Sequence, residues 1–212
     1  MTRALKVCCG IGCVANGALD LVAAFEKAAA DLDVEVRPDV GKVGCNGLCE
    51  KGPMVTVLPD GITYYKVKPR DVDAILESLD TGAPVERLLY PDAERFYGGQ
   101  RKIALRNCGI IDPSSIAEYE ARGGYDSLRK VLGMAPDAVI AEVERSGIRG
   151  RGGAGFPTGR KWRSCAEQAD PVRYMLCNGD EGDPGAFMDE SIMEGDPHSL
   201  IEGLIVGAYA IG

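Results

Sequence analysis

Cysteine is the residue type with the most chemistry to offer in this sequence, and its placement is uneven. Of eight cysteines, five fall in two short segments, Cys8-Cys9-x3-Cys13 and Cys45-x3-Cys49, each at the end of a strand candidate. Structural zinc sites favour two-residue spacing within at least one pair. An iron–sulfur cluster needs four thiolates and gains from backbone N–H groups aimed at its sulfurs. Gly10, Gly12, Gly44 and Gly47 leave room for backbone to come that close. The spacing thus favours Cys8, Cys13, Cys45 and Cys49 as cluster ligands, ahead of zinc, redox-labile thiols or inert buried cysteines. Cys9 competes with Cys8, because Cys9-x3-Cys13 mirrors the second pair; Cys8 ranks ahead. Lys51 is either a solvated charge or a neighbour of an anionic cluster. Cys108, Cys165 and Cys177 stand alone and read as small buried hydrophobes.

A second concentration is glycine, 28 of 212 residues. Arg149-Gly-Arg-Gly-Gly-Ala-Gly-Phe-Pro-Thr-Gly-Arg-Lys-Trp lies between two helical patterns. Gly150, Gly152 and Gly155 fit G-x-G-x-x-G, but the segment before them reads as helix, and no Ser or Thr follows Lys161. Neither a dinucleotide fingerprint nor a P-loop is met. What remains is an anion nest at a helix start, with Arg151, Arg160 and Lys161 adding positive charge. A phosphate-bearing ligand suits it; a tight turn packed under other chain is the alternative.

Asn178-Gly-Asp-Glu-Gly-Asp-Pro-Gly-Ala-Phe follows a strand candidate at 172–177, and ligands bind at such strand ends in α/β folds. Its amide and carboxylates suit a heteroaromatic ring edge or sugar hydroxyls and repel phosphate. The two loops therefore suit opposite ends of one ligand, unless the second is only a solvated acidic turn. EF-hand spacing is absent, which disfavours calcium. His198 reads as structural.

The elements that must position these residues follow from periodicity. Residues 3–8 and 34–37 read as strands, and 16–31 as a helix capped by Asn16. A Gly/Cys loop spans 41–53. Residues 54–58 and 62–67 flank Pro59-Asp-Gly as a hairpin, and 69–79 is an amphipathic helix with Val72, Ile75, Leu76 and Leu79 inward. That order predicts a small thioredoxin-like α/β layer over 1–80. Residues 81–100 show no period and read as a linker. From 101 to 212 a second unit opens on a strand at 102–106. Helices follow near 114–122, 125–132, 136–146 and from Thr158, then the strand at 172–177 and an apolar helix after Asp196-Pro197. That last helix is apolar nearly all round and is expected inside a core. It ends the chain abruptly, so the chain is expected to be the front part of something longer.

Composition narrows the function classes. The net charge of −8 offers no basic face for nucleic acid. No apolar run reaches the roughly 18 residues of a membrane span, and the N-terminus lacks a signal-peptide core. Eight cysteines without an export signal fit a reducing, cytoplasmic setting better than a disulfide framework.

Taken together, residues 149–162, Cys177-Asn-Gly-Asp-Glu-Gly-Asp-Pro-Gly-Ala-Phe-Met-Asp and Glu194-Gly-Asp-Pro-His-Ser-Leu-Ile-Glu-Gly resemble the NADH-binding flavoprotein (51 kDa-type) subunit. Asn107-Cys-Gly-Ile-Ile-Asp-Pro and Gly123-Gly-Tyr match its entry segment. That subunit is shared by respiratory NADH dehydrogenase, NAD-linked hydrogenases and formate dehydrogenases. Residues 1–80 resemble the thioredoxin-like [2Fe–2S] ferredoxin module fused ahead of it in hydrogenase-type subunits.

The resemblance implies an α/β FMN-binding domain, of which 101–212 is the N-terminal part. It implies FMN contacts at Gly150, Arg151, Gly152, Gly153, Lys161, Asn178, Asp180 and Glu181. Phe156 would stack on the NADH adenine, and Asp183 would lie near the nicotinamide. Gly182-Asp-Pro stands where the respiratory branch carries Ser-Glu-Pro, which points to the hydrogenase or formate dehydrogenase branch. A [4Fe–4S] cluster would belong to the C-terminal part absent here. The implied function is electron input from NAD(H) through FMN to iron–sulfur clusters, with other subunits of such a complex as partners and no direct membrane insertion. A [2Fe–2S] carrier or docking module without NADH activity is the alternative.

Overall fold

The computed structural model describes residues 3–32 and 38–212; the strand expected at 34–37 lies outside the described residues. The chain divides into two compact units, residues 1–118 with 181–196, and residues 119–180 with 197–212.

In the first unit, β1 (Ala4–Cys8) is central. It pairs in parallel with β2 (Asp39–Val43) and antiparallel with β3 (Val55–Leu58), which pairs with β4 (Ile62–Tyr64). The sheet order is β2-β1-β3-β4. The expected hairpin forms, and Gly61 supplies its turn with a φ of +73° that side chains resist. Helices α2 (Ala18–Asp31) and α3 (Val72–Thr81) bury the stripes that periodicity marked. Leu21, Phe25 and Ile75 join Leu5 and Val7 in a fully buried core. Each such side chain contributes about 1.5–3 kcal/mol on leaving water.

Three local expectations are corrected. The helix expected from Asn16 starts at Ala18 as α2, and a separate short helix, α1 (Ile11–Ala15), precedes Asn16. Gly17 at φ +92° separates them, and the Asn16 amide turns back to the Gly12 carbonyl at 2.7 Å instead of capping forward. The Gly/Cys loop begins later than expected, because Gly41, Lys42 and Val43 pair with Lys6, Val7 and Cys8. Residues 102–106 form turns rather than a strand. Their neighbouring N–H groups bond locally, Cys108 to the Leu105 carbonyl and Ile110 to that of Asn107, while Ile103 stays exposed with nothing to pack on.

Residues 81–100 lie along this core. Leu88 is buried, its carbonyl accepts the Tyr65 N–H, and Tyr90 meets Tyr65 edge-on at 5.6 Å. A short helix, α4 (Ala93–Gly98), follows, and α5 (Ile116–Glu120) comes after the turns.

The second unit packs α6 (Asp126–Leu132), α7 (Pro136–Ser146), α8 (Thr158–Ala166) and α10 (Pro197–Ile211) around Val131, Val139, Ile140 and Ala210. Gly159 lets α8 touch α7: a Cβ there would lie 2.5 Å from the Glu144 Cγ. Between these in sequence, in the first unit, α9 spans Met188–Gly195. The expected strand at 172–177 has no ladder partner among the described residues. Its alternation survives, with Val172, Tyr174 and Leu176 exposed. Arg173 is turned to the carbonyls of Cys165, Ala166 and Gln168. Helix α10 is not wholly buried as expected: Ala210 and Ile211 are inside, but Ile201 and Ile205 form an exposed stripe.

Lys6, Asp71 and Asp196 are the charged residues buried in the first unit among those described. Lys6, on the sheet face opposite Leu5 and Val7, has a 7 % exposed side chain and pairs with Glu118 at 2.7 Å and Asp39 at 3.7 Å. Glu118 also accepts the Asp112 N–H. Breaking such a pair from one side strands the other charge, whereas an apolar replacement removes the problem. Glu118→Ala is expected to cost about 2 kcal/mol in urea unfolding, and Lys6→Met less than about 1 kcal/mol.

Candidate functional site

The parallel register of β1 and β2 decides where the cysteines go. It ends at Cys8 opposite Val43, so the chain leaving β2 passes directly beside the end of β1. Cys45 lies two residues beyond β2, and Cys49 opens a single 3-10 turn, Cys49–Lys51. Cys13 enters from α1 and is buried. The Cys45 and Cys49 sulfurs are 3.5 Å apart. The Cys8 thiol meets the Gly44 carbonyl at 3.6 Å, and Cys13 and Cys45 are the side chains that act most strongly on it. The structure thus brings Cys8, Cys13, Cys45 and Cys49 together. Cys9 is not among them; its thiol faces Lys42 and Asp112.

Three glycines shape the space around these sulfurs. A Cβ on Gly10 would lie 2.7 Å from the Cys45 Cβ, one on Gly12 3.1 Å from the Cys49 Cβ, and one on Gly52 2.5 Å from the Cys13 Sγ. The Gly47 N–H points at the Cys45 sulfur at 3.3 Å. Four thiols, a close glycine lining and a backbone donor fit the requirements of an iron–sulfur cluster. Among the described residues, no three Cys, His, Asp or Glu groups are arranged to hold a single metal ion.

Three of the thiols, Cys8, Cys45 and Cys49, are held in their protonated form. The hydrogen bond with Cys13 pushes Cys8 up to about 11, and burial pushes Cys49 to about 11. The bond with Cys8 raises Cys45 further, while Cys13, which receives the Cys8 hydrogen bond, is lowered. Loading a cluster must therefore release these protons.

Other expectations near the site resolve simply. Lys51 pairs with exposed Glu50 at 2.9 Å and lies 4.7 Å from the Tyr90 ring centroid. Cys108 is buried as expected, donating to the Ser191 carbonyl at 3.3 Å, whereas Cys177 is exposed. Sequence reasoning passed over Asn46, Tyr97 and Lys102. Tyr97 and Lys102 hydrogen-bond the Asn46 carbonyl, inside the cysteine loop. No local pattern marks them, since the contact spans more than fifty positions.

In the second unit, the glycine loop is closed at its base by an Arg149–Pro157 bridge and by the Gly150 N–H on the Phe156 carbonyl. Gly153 and Gly155 take φ values of +100° and +58°. Nothing lies within 4 Å of a Cβ placed on Gly152, Gly153 or Gly155, so the loop is open to an occupant. Helix α8 begins directly after it without a side-chain cap; its first N–H, on Thr158, goes to the Ile148 carbonyl, which leaves those of Gly159 and Arg160 for an anion. Arg151 and Lys161 are exposed. Phe156 is half exposed, with the Arg160 guanidinium 5.9 Å from its ring centroid. These features fit a phosphate-bearing cofactor.

The acidic loop divides between the units. Asn178 and Asp180, in the second, form an Asx turn in which the Asp180 N–H donates to the Asn178 side chain at 2.8 Å. Asp183, in the first, is exposed. Glu181 is committed to the protein: its carboxylate accepts the N–H groups of Met188, Asp189 and Glu190 at 2.7–3.0 Å and so caps α9.

His198 is structural, as expected. Its Nδ1 meets the Tyr125 hydroxyl at 2.9 Å and its ring stacks on Tyr119.

The hydrogen bonds from Glu190, Asp189 and Met188 hold the Glu181 carboxyl below the usual glutamate range. A depressed folded value stabilises the fold above that range and stops doing so as pH falls through it. Amide hydrogen exchange at 188–190 should therefore quicken, relative to the rest of α9, on acidification. In Glu181→Gln it should be fast throughout and nearly independent of that transition.

Residues 2–80 match the thioredoxin-like [2Fe–2S] ferredoxin family, and residues 143–212 match the Nuo51 FMN-binding domain family. The NADP-reducing hydrogenase subunit HndC of Solidesulfovibrio fructosivorans is 57 % identical over 113 residues, covering 53 % of this chain and 23 % of that protein. An NADH-quinone oxidoreductase subunit of Aquifex aeolicus is 54 % identical over 124 residues, covering 58 % of this chain and 29 % of that protein. The crystal structure of the wild-type thioredoxin-like [2Fe–2S] ferredoxin from Aquifex aeolicus aligns at 36 % identity with a TM-score of 0.38, covering 41 % of this chain and 94 % of its own. The matched stretch spans about a quarter of the length of these curated relatives. The chain thus carries, in order, a segment matching the thioredoxin-like [2Fe–2S] ferredoxin family and a segment matching the Nuo51 FMN-binding domain family.

Proposed function

We propose that this chain is the electron-input part of a multisubunit redox complex that exchanges electrons with NAD(H), and that Cys8, Cys13, Cys45 and Cys49 hold its [2Fe–2S] cluster. The observation that carries the reading is the close approach of Cys45, Cys49 and Cys13 to Gly10, Gly12 and Gly52, beside the strand end that holds Cys8, in the segment that matches the [2Fe–2S] ferredoxin family. FMN, when bound, accepts electrons in pairs from NADH and passes them singly to iron–sulfur centres. Gly152 and Gly153 offer their N–H groups, with Arg151 and Lys161, to its phosphate, and Gly150 contributes by closing the base of the loop. Asn178 and Asp180 present polar groups for the ring and ribityl. Phe156 offers an exposed aromatic face for the adenine of NADH, and Asp183 a carboxylate toward the nicotinamide. Glu181 acts by fixing the loop onto α9 rather than by free contact.

The partners are the other subunits of a hydrogenase, formate dehydrogenase or NADH dehydrogenase complex, and a [4Fe–4S] cluster would belong to the C-terminal part of the whole subunit. No helix of the described residues is long and apolar enough to cross a membrane. The eight cysteines are all free, as the reducing cytoplasm keeps them, and that is the compartment we assign.

The test is anaerobic reconstitution of the full chain with iron, sulfide and FMN, followed by visible spectra before and after NADH. Bleaching of flavin and cluster bands together is the expected result. Bleaching of a cluster by dithionite alone would leave a carrier module and overturn the NADH reading. Cys45→Ser should lose most of the cluster absorbance with flavin binding unchanged, and Cys9→Ser should keep it.

A further inference from the structure

The cysteine loop is gripped from outside by residues to which neither ligation nor cofactor contact gives a role. Tyr97, on α4, donates its hydroxyl to the Asn46 carbonyl at 3.3 Å. Lys102 donates to the same carbonyl at 3.2 Å and to the Asn46 Oδ1 at 3.3 Å. Its ammonium also lies 5.3 Å from the Tyr97 ring centroid. Gly109 closes a third side at φ +80°, where a Cβ would sit 2.7 Å from the Asn46 Oδ1. Lys102 and Gly109 belong to the turn-rich segment that stands in place of the expected strand, and the turns bring them back onto the loop.

We propose that Lys102, assisted by Tyr97, is the positioning residue of the Cys45–Cys49 loop, and that its charge raises the reduction potential of the cluster held there; this rests on the ligand assignment above. Asn46 follows Cys45 directly, and adjacent α-carbons are about 3.8 Å apart. The ammonium is therefore bonded within one residue of a sulfur-bearing position. Reduction adds one electron, and one unit of negative charge, to the cluster. A fixed positive charge beside it favours the reduced form, and partial burial of Lys102 weakens the screening of that effect.

Neighbouring charges do not duplicate it. Lys51 is neutralised by Glu50 at 2.9 Å, and Glu190 acts on Cys49 with the opposite sign. Among the described residues, the hydrogen-bond partners of Lys102 are neutral oxygens rather than carboxylates.

The experiment uses the full chain, reconstituted anaerobically with iron and sulfide and titrated with dithionite and mediators while visible and paramagnetic-resonance signals are followed. Lys102→Gln keeps a donor for the Asn46 carbonyl but removes the charge. It should retain wild-type iron and sulfide and show a more negative midpoint, and Lys102→Arg should restore the wild-type value. Tyr97→Phe, which leaves the charge in place, should shift the midpoint less. A Lys102→Gln midpoint equal to wild type at full cluster content overturns the proposal. Cluster loss in Lys102→Gln but not in Lys102→Arg supports it, and equal loss in both overturns it in favour of plain packing. A wild-type chain that takes up no iron and sulfide defeats the ligand assignment itself, before any variant is compared.

Discussion

The register between two parallel strands is the constraint on which the site depends. Cys8 ends β1 opposite Val43, so the chain emerging from β2 cannot avoid the sulfur at the end of β1. A slip of one residue would turn Cys8 to the other face of the sheet, because side chains alternate. Two features oppose such a slip. On one face Leu5 and Val7 are wholly buried among the residues of α2 and α3. On the other, Lys6 is pinned to Glu118 and lies so close to Gly41 that any side chain there would strike its ammonium. The core and the ion pair therefore fix the same alignment from opposite sides.

Close approach then replaces side-chain bulk as the means of building the site. Gly10 and Gly52 each face a cysteine at a distance that excludes a methyl group, and Gly12 faces one at a distance that leaves a methyl group tight. Gly44 and Gly195 meet in the same way, bringing α9 against the cysteine loop within the first unit. The opposite end of α9 is capped by Glu181. One helix thus links the acidic loop to the cysteine loop through a carboxylate at its start and a glycine contact at its end. The second unit uses a buried carboxylate in the same way. Glu202, on the otherwise apolar α10, accepts the Tyr119 hydroxyl at 2.5 Å and the N–H groups of Tyr125 and Leu128, securing the start of α6.

What sequence could reveal follows from the range of each interaction. Helical stripes in α2 and α3, the hairpin at Gly61 and the cysteine spacing are local patterns, and the structure realises each of them. Cys8 lies with Cys13 and Cys45, whereas Cys9 lies toward Lys42 and Asp112. Alternation predicts strands at 102–106 and 172–177, but alternation describes a face and not a neighbour; no strand among the described residues lies beside either. Asn16 has the right chemistry for a forward cap, and the left-handed Gly17 after it decides otherwise. In sequence, Glu181 reads as a cofactor contact, and Glu202 carries no reading. Both are caps for helix starts, Glu181 for α9 a few residues on and Glu202 for α6 more than seventy positions away, which no window of local sequence displays.

The electrostatics of the cysteine site explain why its outer contacts matter. In the protein alone, burial and S–H···S contacts favour neutral thiols at Cys8, Cys45 and Cys49. A bound cluster replaces those protons and leaves an anionic unit in a partly buried place. Anions there need donors or positive charge to offset the loss of water. The Gly47 N–H supplies one donor directly to the Cys45 sulfur. Lys102 supplies charge at one remove, through the peptide of Asn46, and Tyr97 holds the same carbonyl without charge. A direct lysine–sulfur contact would fix the ammonium to one sulfur. Bonding to the carbonyl instead fixes the loop, so that position and field are set by the same interaction.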